Sequence, residues 1–193
     1  MTGVWSERKI RRLIEKKKLK IRELEKKYGV PAAVTQAVML REMRRIDLVD
    51  YAADLIVRTQ LFRKKDSSTG PMQIYGKVAL RAFLFAADRG LADLASLGFS
   101  GGERPDENRQ EDVFRIWKRL RRDKDFNLEA GALNLLVCAD EMTGRTDFSS
   151  FSEEELKLVL TRYNANVRHI TAYGEETYRL YREFSEKDRI PGK

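Results

Sequence analysis

Apolar residues recur at helical spacing almost from the start of the chain. Ile10, Leu13, Ile14, Ile21, Leu24 and Tyr28 fall on one face among Lys, Arg and Glu, which predicts an amphipathic helix over residues 6–28. Gly29 ends it, and Pro31 stands where a first helical residue tolerates a missing N–H, so a second helix is predicted over about 32–44. Its apolar surface, Val34, Ala37, Val38 and Leu40, marks it as a buried helix. Asp47 is placed to cap a third, with Leu48, Tyr51, Ala52, Leu55 and Ile56 inward, reaching about Gln60.

There the helical pattern breaks. LFRKKDSSTGPMQIYG gathers turn residues between β-compatible flanks and predicts a short hairpin or an ordered loop. A helix follows over about 76–88, and GFSGGERPDEN, residues 98–108, is the most loop-like stretch. Val113, Ile116, Trp117 and Leu120 mark another helix, with Phe114 and Trp117 read as core. Asn127 is placed to cap a helix running to about Met142. Ser152 and Glu155 have capping-box spacing before an apolar run ending near Tyr163. A last helix over about 171–187 stacks Tyr173, Tyr178, Tyr181 and Phe184. There is no internal repeat. The expected class is mainly α: one helical domain, with a small β-hairpin or loop beside any cleft it forms.

Composition narrows the chemistry. With 193 residues, 42% apolar and 35% charged, the chain suits one domain with a real core. Cys138 is the single cysteine and His169 the single histidine, which excludes an intramolecular disulfide and Cys-rich or His-rich metal sites. There is no Gly-rich phosphate loop followed by Lys and Ser or Thr, no GxGxxG and no HExxH. Carboxylate chemistry or binding is what remains. Of the net charge of +8, residues 1–30 carry +7 from 11 Lys and Arg against 4 Glu. Residues 1–27 are therefore read as a basic amphipathic helix packed on a domain of residues 28–193, with a polyanion as the partner of that charge. No stretch approaches the roughly 18 apolar residues of a membrane span. The start lacks the continuous apolar core of a signal peptide, so work outside the cell would need another export route.

Glu42 stands out among the carboxylates. It ends the apolar run AVTQAVMLRE, where half-apolar surroundings disfavour the charged form and equip a carboxyl to donate a proton. The alternative is a surface Glu paired with Arg41, Arg44 or Arg45. The segment Asp66 to Ile74 gathers polar groups and backbone freedom before an apolar helix, as a wall beside a polar ligand would, or as an ordinary turn.

YGVPAAVTQAVMLRE, STGPMQI, DFNLEAGALNLL and RYNAN, in that order over residues 28–166, resemble the lysozyme-like superfamily of goose-type lysozymes and soluble lytic transglycosylases. Met43, Asn166 and Tyr75 depart from the family pattern, which usually has Ser and Gly at the first two positions and, in some goose-type members, Asp at the third. The resemblance implies an α+β fold of lysozyme type and cleavage of the β-1,4 bond between N-acetylmuramic acid and N-acetylglucosamine in peptidoglycan glycan strands, at the cell wall, with no cofactor and no metal. It makes Glu42 the general acid. Gln73, Ile74 and Tyr75 become one cleft wall, and Tyr163 with Asn164 the opposite one. Asp66 is the local candidate for a second acid, or else it holds Ser67 and Ser68 in an Asx turn. Asp47, Asp50 and Asp54 read as a cap and surface charges, Cys138 as an inert buried thiol, and His169 as structural. The basic N-terminal segment would hold the protein on an anionic wall polymer.

A different class fits the N-terminal part. IRELEKKYGVPAAVTQAV has the look of a helix-turn-helix DNA binder, with Gly29 in the turn, residues 32–42 as recognition helix, Thr35 and Gln36 for base edges, and Lys16, Lys17, Lys18 and Lys20 for phosphates.

Overall fold

The computed structural model describes residues 5–46, 52, 55–59, 66–99 and 104–189. Helix α1, Glu7–Tyr28, buries Ile10, Ile14, Ile21, Leu24 and Tyr28 and ends at Gly29, whose N–H bonds Glu25 O. The Glu25 carboxylate then reaches the first N–H of the next helix, at Ala32 (2.9 Å). That helix, α2, Ala32–Arg45, is buried at every position from Ala32 to Leu40. A helix apolar on all sides belongs in the middle of a domain, and α2 packs against α1, against the C-terminal helix and against the long helix α5.

Helices α3, Gly76–Asp88, and α4, Gln110–Arg122, precede α5, Lys124–Thr143. α5 is the second central helix, in contact with α1, α2, α3, α4 and α6. The predicted capping box of α6, Glu153–Asn164, is present: Ser152 Oγ accepts the Glu155 N–H, and the Glu155 carboxylate accepts the Ser152 N–H. The last helix, α7, Ala172–Arg189, lies on α2 and α6. At Gly174 a Cβ would come within 2.1 Å of Thr161 Oγ1, so the missing side chain is what lets α7 close onto α6. One cluster of buried side chains runs through all seven, including Ile10, Val38, Leu80, Leu120, Leu133, Leu160 and Phe184.

Two details differ from expectation. No strand occurs among the described residues; the 66–75 segment makes one antiparallel bridge, Thr69 with Ile74. The Gly70 carbonyl accepts the Gln73 N–H (3.1 Å), closing the turn, and the chain then enters α3 at Gly76 instead of continuing as a strand. Asn127 does not cap α5; Asp123 does, accepting from the Asp125 and Phe126 N–H groups. Of the helix expected from Asp47, residues 52 and 55–58 are helical, and Asp47, Asp50 and Asp54 lie outside the described residues. No helix of the described residues is long and apolar enough to cross a membrane.

Candidate active-site cleft

Where α2 emerges from the core its side chains change character. After Leu40 come Arg41 and Glu42, both half-buried, then buried Met43. Tyr173, on α7, is buried and donates its hydroxyl to Glu42 Oε1 (2.5 Å). The Arg41 guanidinium lies 5.1 Å over the Tyr173 ring and pairs with Glu176 (3.0 Å). Burial and then the Glu42 charge push the Tyr173 hydroxyl well above its usual range, so it remains a proton donor to the carboxyl.

Opposite stands the 66–75 turn, held from behind by α5. Asn127 is wholly buried: its Oδ1 accepts the Met72 N–H (2.8 Å) and its Nδ2 donates to Thr69 O (2.9 Å). Gly70 is required here, with φ +72 and a hypothetical Cβ only 2.3 Å from Asn127 Nδ2. Ser67 Oγ accepts the indole N–H of buried Trp117 (3.1 Å). Gln73 adopts φ +44, rare for a residue with a side chain, and its Nε2 donates back to Gly70 O (2.8 Å). Strain of this kind costs on the order of 1–3 kcal/mol and is sustained by the surrounding contacts.

Between these walls lies a cleft of about 510 Å³. Glu42, Gln73, Ile74, Tyr75, Tyr163 and Asn164 all line it, so six of the seven residues singled out from sequence are brought together. Tyr163 donates to Met72 O (2.9 Å), tying α6 to the turn, and burial, then the Glu42 charge, raise its hydroxyl well above the usual value. Asn164 Oδ1 accepts from Arg45 (3.3 Å). The backbone of Ile74 exchanges hydrogen bonds with Thr69 in both directions, while the residue lines the cleft.

Asp66 is the seventh, and it does not line the cleft. Its two oxygens accept the Gly76 N–H (2.6 Å) and the Lys77 N–H (3.0 Å), so the carboxylate caps the start of α3. That position does not bring Asp66 to the cleft as the expected second acid. Glu42 is the one carboxylate among the described residues that line the cleft.

Sequence reasoning passed over Asn134, Arg81 and Arg162, which line the cleft together with Cys138 of α5 and Arg45. Glu141 draws Arg81 (3.2 Å) and Arg162 (2.7 Å) together, one carboxylate oxygen to each. Asn134 is 4% exposed and has no hydrogen-bond partner among the described residues. Cys138, though at the cleft, has its thiol pushed up to about 12 by burial and is no nucleophile at neutral pH. His169 is exposed and does not line the cleft.

The helix-turn-helix reading meets a physical obstacle. Thr35 and Gln36, its two base-reading candidates, are 1% and 5% exposed, packed within the core. Of its phosphate-binding lysines, Lys17 and Lys20 are paired with Asp125 and Glu23. Comparison with protein-family models, with curated proteins and with solved structures found no match.

Proposed function

We propose that the protein is a peptidoglycan-cleaving glycosidase acting on the β-1,4 bond between N-acetylmuramic acid and N-acetylglucosamine, with Glu42 as general acid. The observation that carries this reading is the meeting of Glu42, clasped by Tyr173, with Gln73, Tyr75, Tyr163 and Asn164 in one cleft. Glu42 protonates the glycosidic oxygen as the C1–O4 bond breaks and the sugar takes on oxocarbenium character. Tyr173 fixes the carboxyl's orientation, and half-exposed Tyr75 offers a ring face to a sugar. The commitment of Asp66 to the α3 terminus supports the one-carboxylate course. In that course the muramic 6-hydroxyl attacks C1, its proton passes to the Glu42 carboxylate, and a 1,6-anhydro end forms beside a new 4-hydroxyl. A hydrolase would instead add water at C1.

Binding to an anionic wall polymer would use the outer face of α1, where Arg8, Arg12, Lys16 and Lys26 are exposed, while Lys17 and Lys27 are held by Asp125 and Glu129. The test of function is digestion of purified peptidoglycan by the wild type and Glu42→Gln, with products weighed by mass spectrometry. Products lighter by one water mark the transglycosylase and reducing muropeptides the hydrolase; cleavage by Glu42→Gln at the wild-type rate, or none by either protein, refutes the proposal.

A further inference from the structure

The charged lining of the cleft is lopsided: Arg45, Arg81 and Arg162 face one carboxylate, Glu42. On α5, Asn134, Cys138 and Glu141 follow at i, i+4 and i+7 and share a face. Glu141 sets the Arg81 and Arg162 guanidiniums side by side, and the Arg162 pair is made through Nε. Arg162 lines the cleft and can present the remaining donors of its guanidinium there. Buried Asn134 lines the same cleft with its carboxamide unpartnered among the described residues. Its polar atoms are not among the fully buried unpartnered ones, so they face the open cleft, where water or a ligand can bond them.

The two features ask for different atoms. A guanidinium fork matches a carboxylate. A carboxamide both donates and accepts, and so matches a secondary amide, whereas a bare anion offers acceptors only. We propose that Arg81, Asn134 and Arg162 form a subsite for a carboxylate carried beside an N-acyl group. Resting on the glycosidase reading, this makes the subsite a reader of the muramic residue, through its lactyl carboxylate in bare glycan or a stem-peptide carboxylate in native wall. A strand of N-acetylglucosamine alone would leave the fork desolvated and unpaired, which is how a polar site rejects the wrong substrate.

The test is calorimetric binding to the full chain carrying Glu42→Gln. The ligands are the N-acetylglucosamine tetramer, the peptide-free tetrasaccharide alternating N-acetylmuramic acid with N-acetylglucosamine, and that tetrasaccharide bearing peptide stems. The muramic ligands are expected to bind about tenfold tighter than the neutral tetramer, the scale of one charge-assisted fork. Whichever muramic ligand binds tighter names the carboxylate, and either result supports the subsite. Adding Arg162→Gln should shrink the preference to about twofold or less, with Arg81→Gln as the second variant if that chain does not fold. Adding Glu141→Gln removes the counter-charge behind the fork and should widen the preference, a direction that loss of packing would not give. Binding of the neutral tetramer without discrimination, or a preference that survives both arginine substitutions, overturns the subsite and leaves the glycosidase reading standing. Failure of all three ligands to bind overturns the subsite, and absence of cleavage by the wild type separately overturns the glycosidase reading.

Discussion

Asn127→Ala removes the buried carboxamide that bonds the 66–75 turn at two points, and its cost can be worked from the contacts. The Met72 N–H loses its partner, while Thr69 O keeps the Ile74 N–H at 3.3 Å. One orphaned buried donor costs about 1–3 kcal/mol, and the small void left by the carboxamide adds to it, for roughly 2–4 kcal/mol in all. At about 2–4 °C per kcal/mol for a chain of this size, Tm should fall by roughly 5–15 °C. Gly70→Ala brings two separate penalties: φ +72, and a Cβ 2.3 Å from Asn127 Nδ2. The first is worth about 1–2 kcal/mol, and the second disappears once Asn127 is truncated. The double variant should therefore be more stable than the summed losses imply. Calorimetric melting and urea unfolding of the four proteins measure this cycle. A Tm for Asn127→Ala within measurement error of wild type, or additivity to within about 0.5 kcal/mol, would refute the claim that this carboxamide holds the turn.

Other outcomes follow from the same contacts. Asp66→Ala should cost about 0.5–2 kcal/mol as a lost helix cap in urea unfolding, yet keep peptidoglycan cleavage within about tenfold of wild type, whereas loss of an essential acid would cost far more. Tyr173→Phe should lower kcat by about tenfold or more, since one hydrogen bond to a charged group is worth about 1.5–3 kcal/mol, with the fold unchanged by circular dichroism; an unaltered kcat removes Tyr173 from the acid's support. Burial opposes the Glu129 charge, but the hydrogen bonds from Tyr28 and Lys27 outweigh it and hold the carboxyl below its usual value. The folded state thus binds that proton less readily than the unfolded one, so the stability it contributes is present above the unfolded-state value and lost as pH falls through the folded one. Glu129→Gln should flatten the acid limb of a stability–pH curve; an unchanged limb refutes the assignment. Replacing Arg8, Arg12, Lys16 and Lys26 with Gln should weaken sedimentation with cell walls at low salt and reduce its salt dependence.

What could be read from the chain was what depends on near neighbours. The α1 stripe, the buried character of α2 and the Ser152 capping box are local patterns, and all three appear as expected. The hairpin was overcalled because turn residues announce a reversal without saying how many bridges follow it. Asn127 was misread for a related reason: cap chemistry is local, while its actual partners lie 55 and 58 positions away. Tyr173 looked like one more aromatic in a core stripe, and its link to Glu42 spans 131 positions. Asn134 sits in an apolar run with nothing nearby to mark it, and Arg81 and Arg162 look like ordinary surface charges until Glu141 is seen between them.

Glu42 takes its position from a helix locked in the core and not from a loop, and this constrains how the chain can change. Each residue added to or removed from Ala32–Leu40 would turn everything beyond it by about 100° and shift it by about 1.5 Å along the axis. The buried face of α2 cannot follow such a change, so either the core or the bearing of Glu42 must give way. A one-residue insertion scan should therefore find this segment intolerant. The acid is indexed by the core, and length variation is left to the connections between helices.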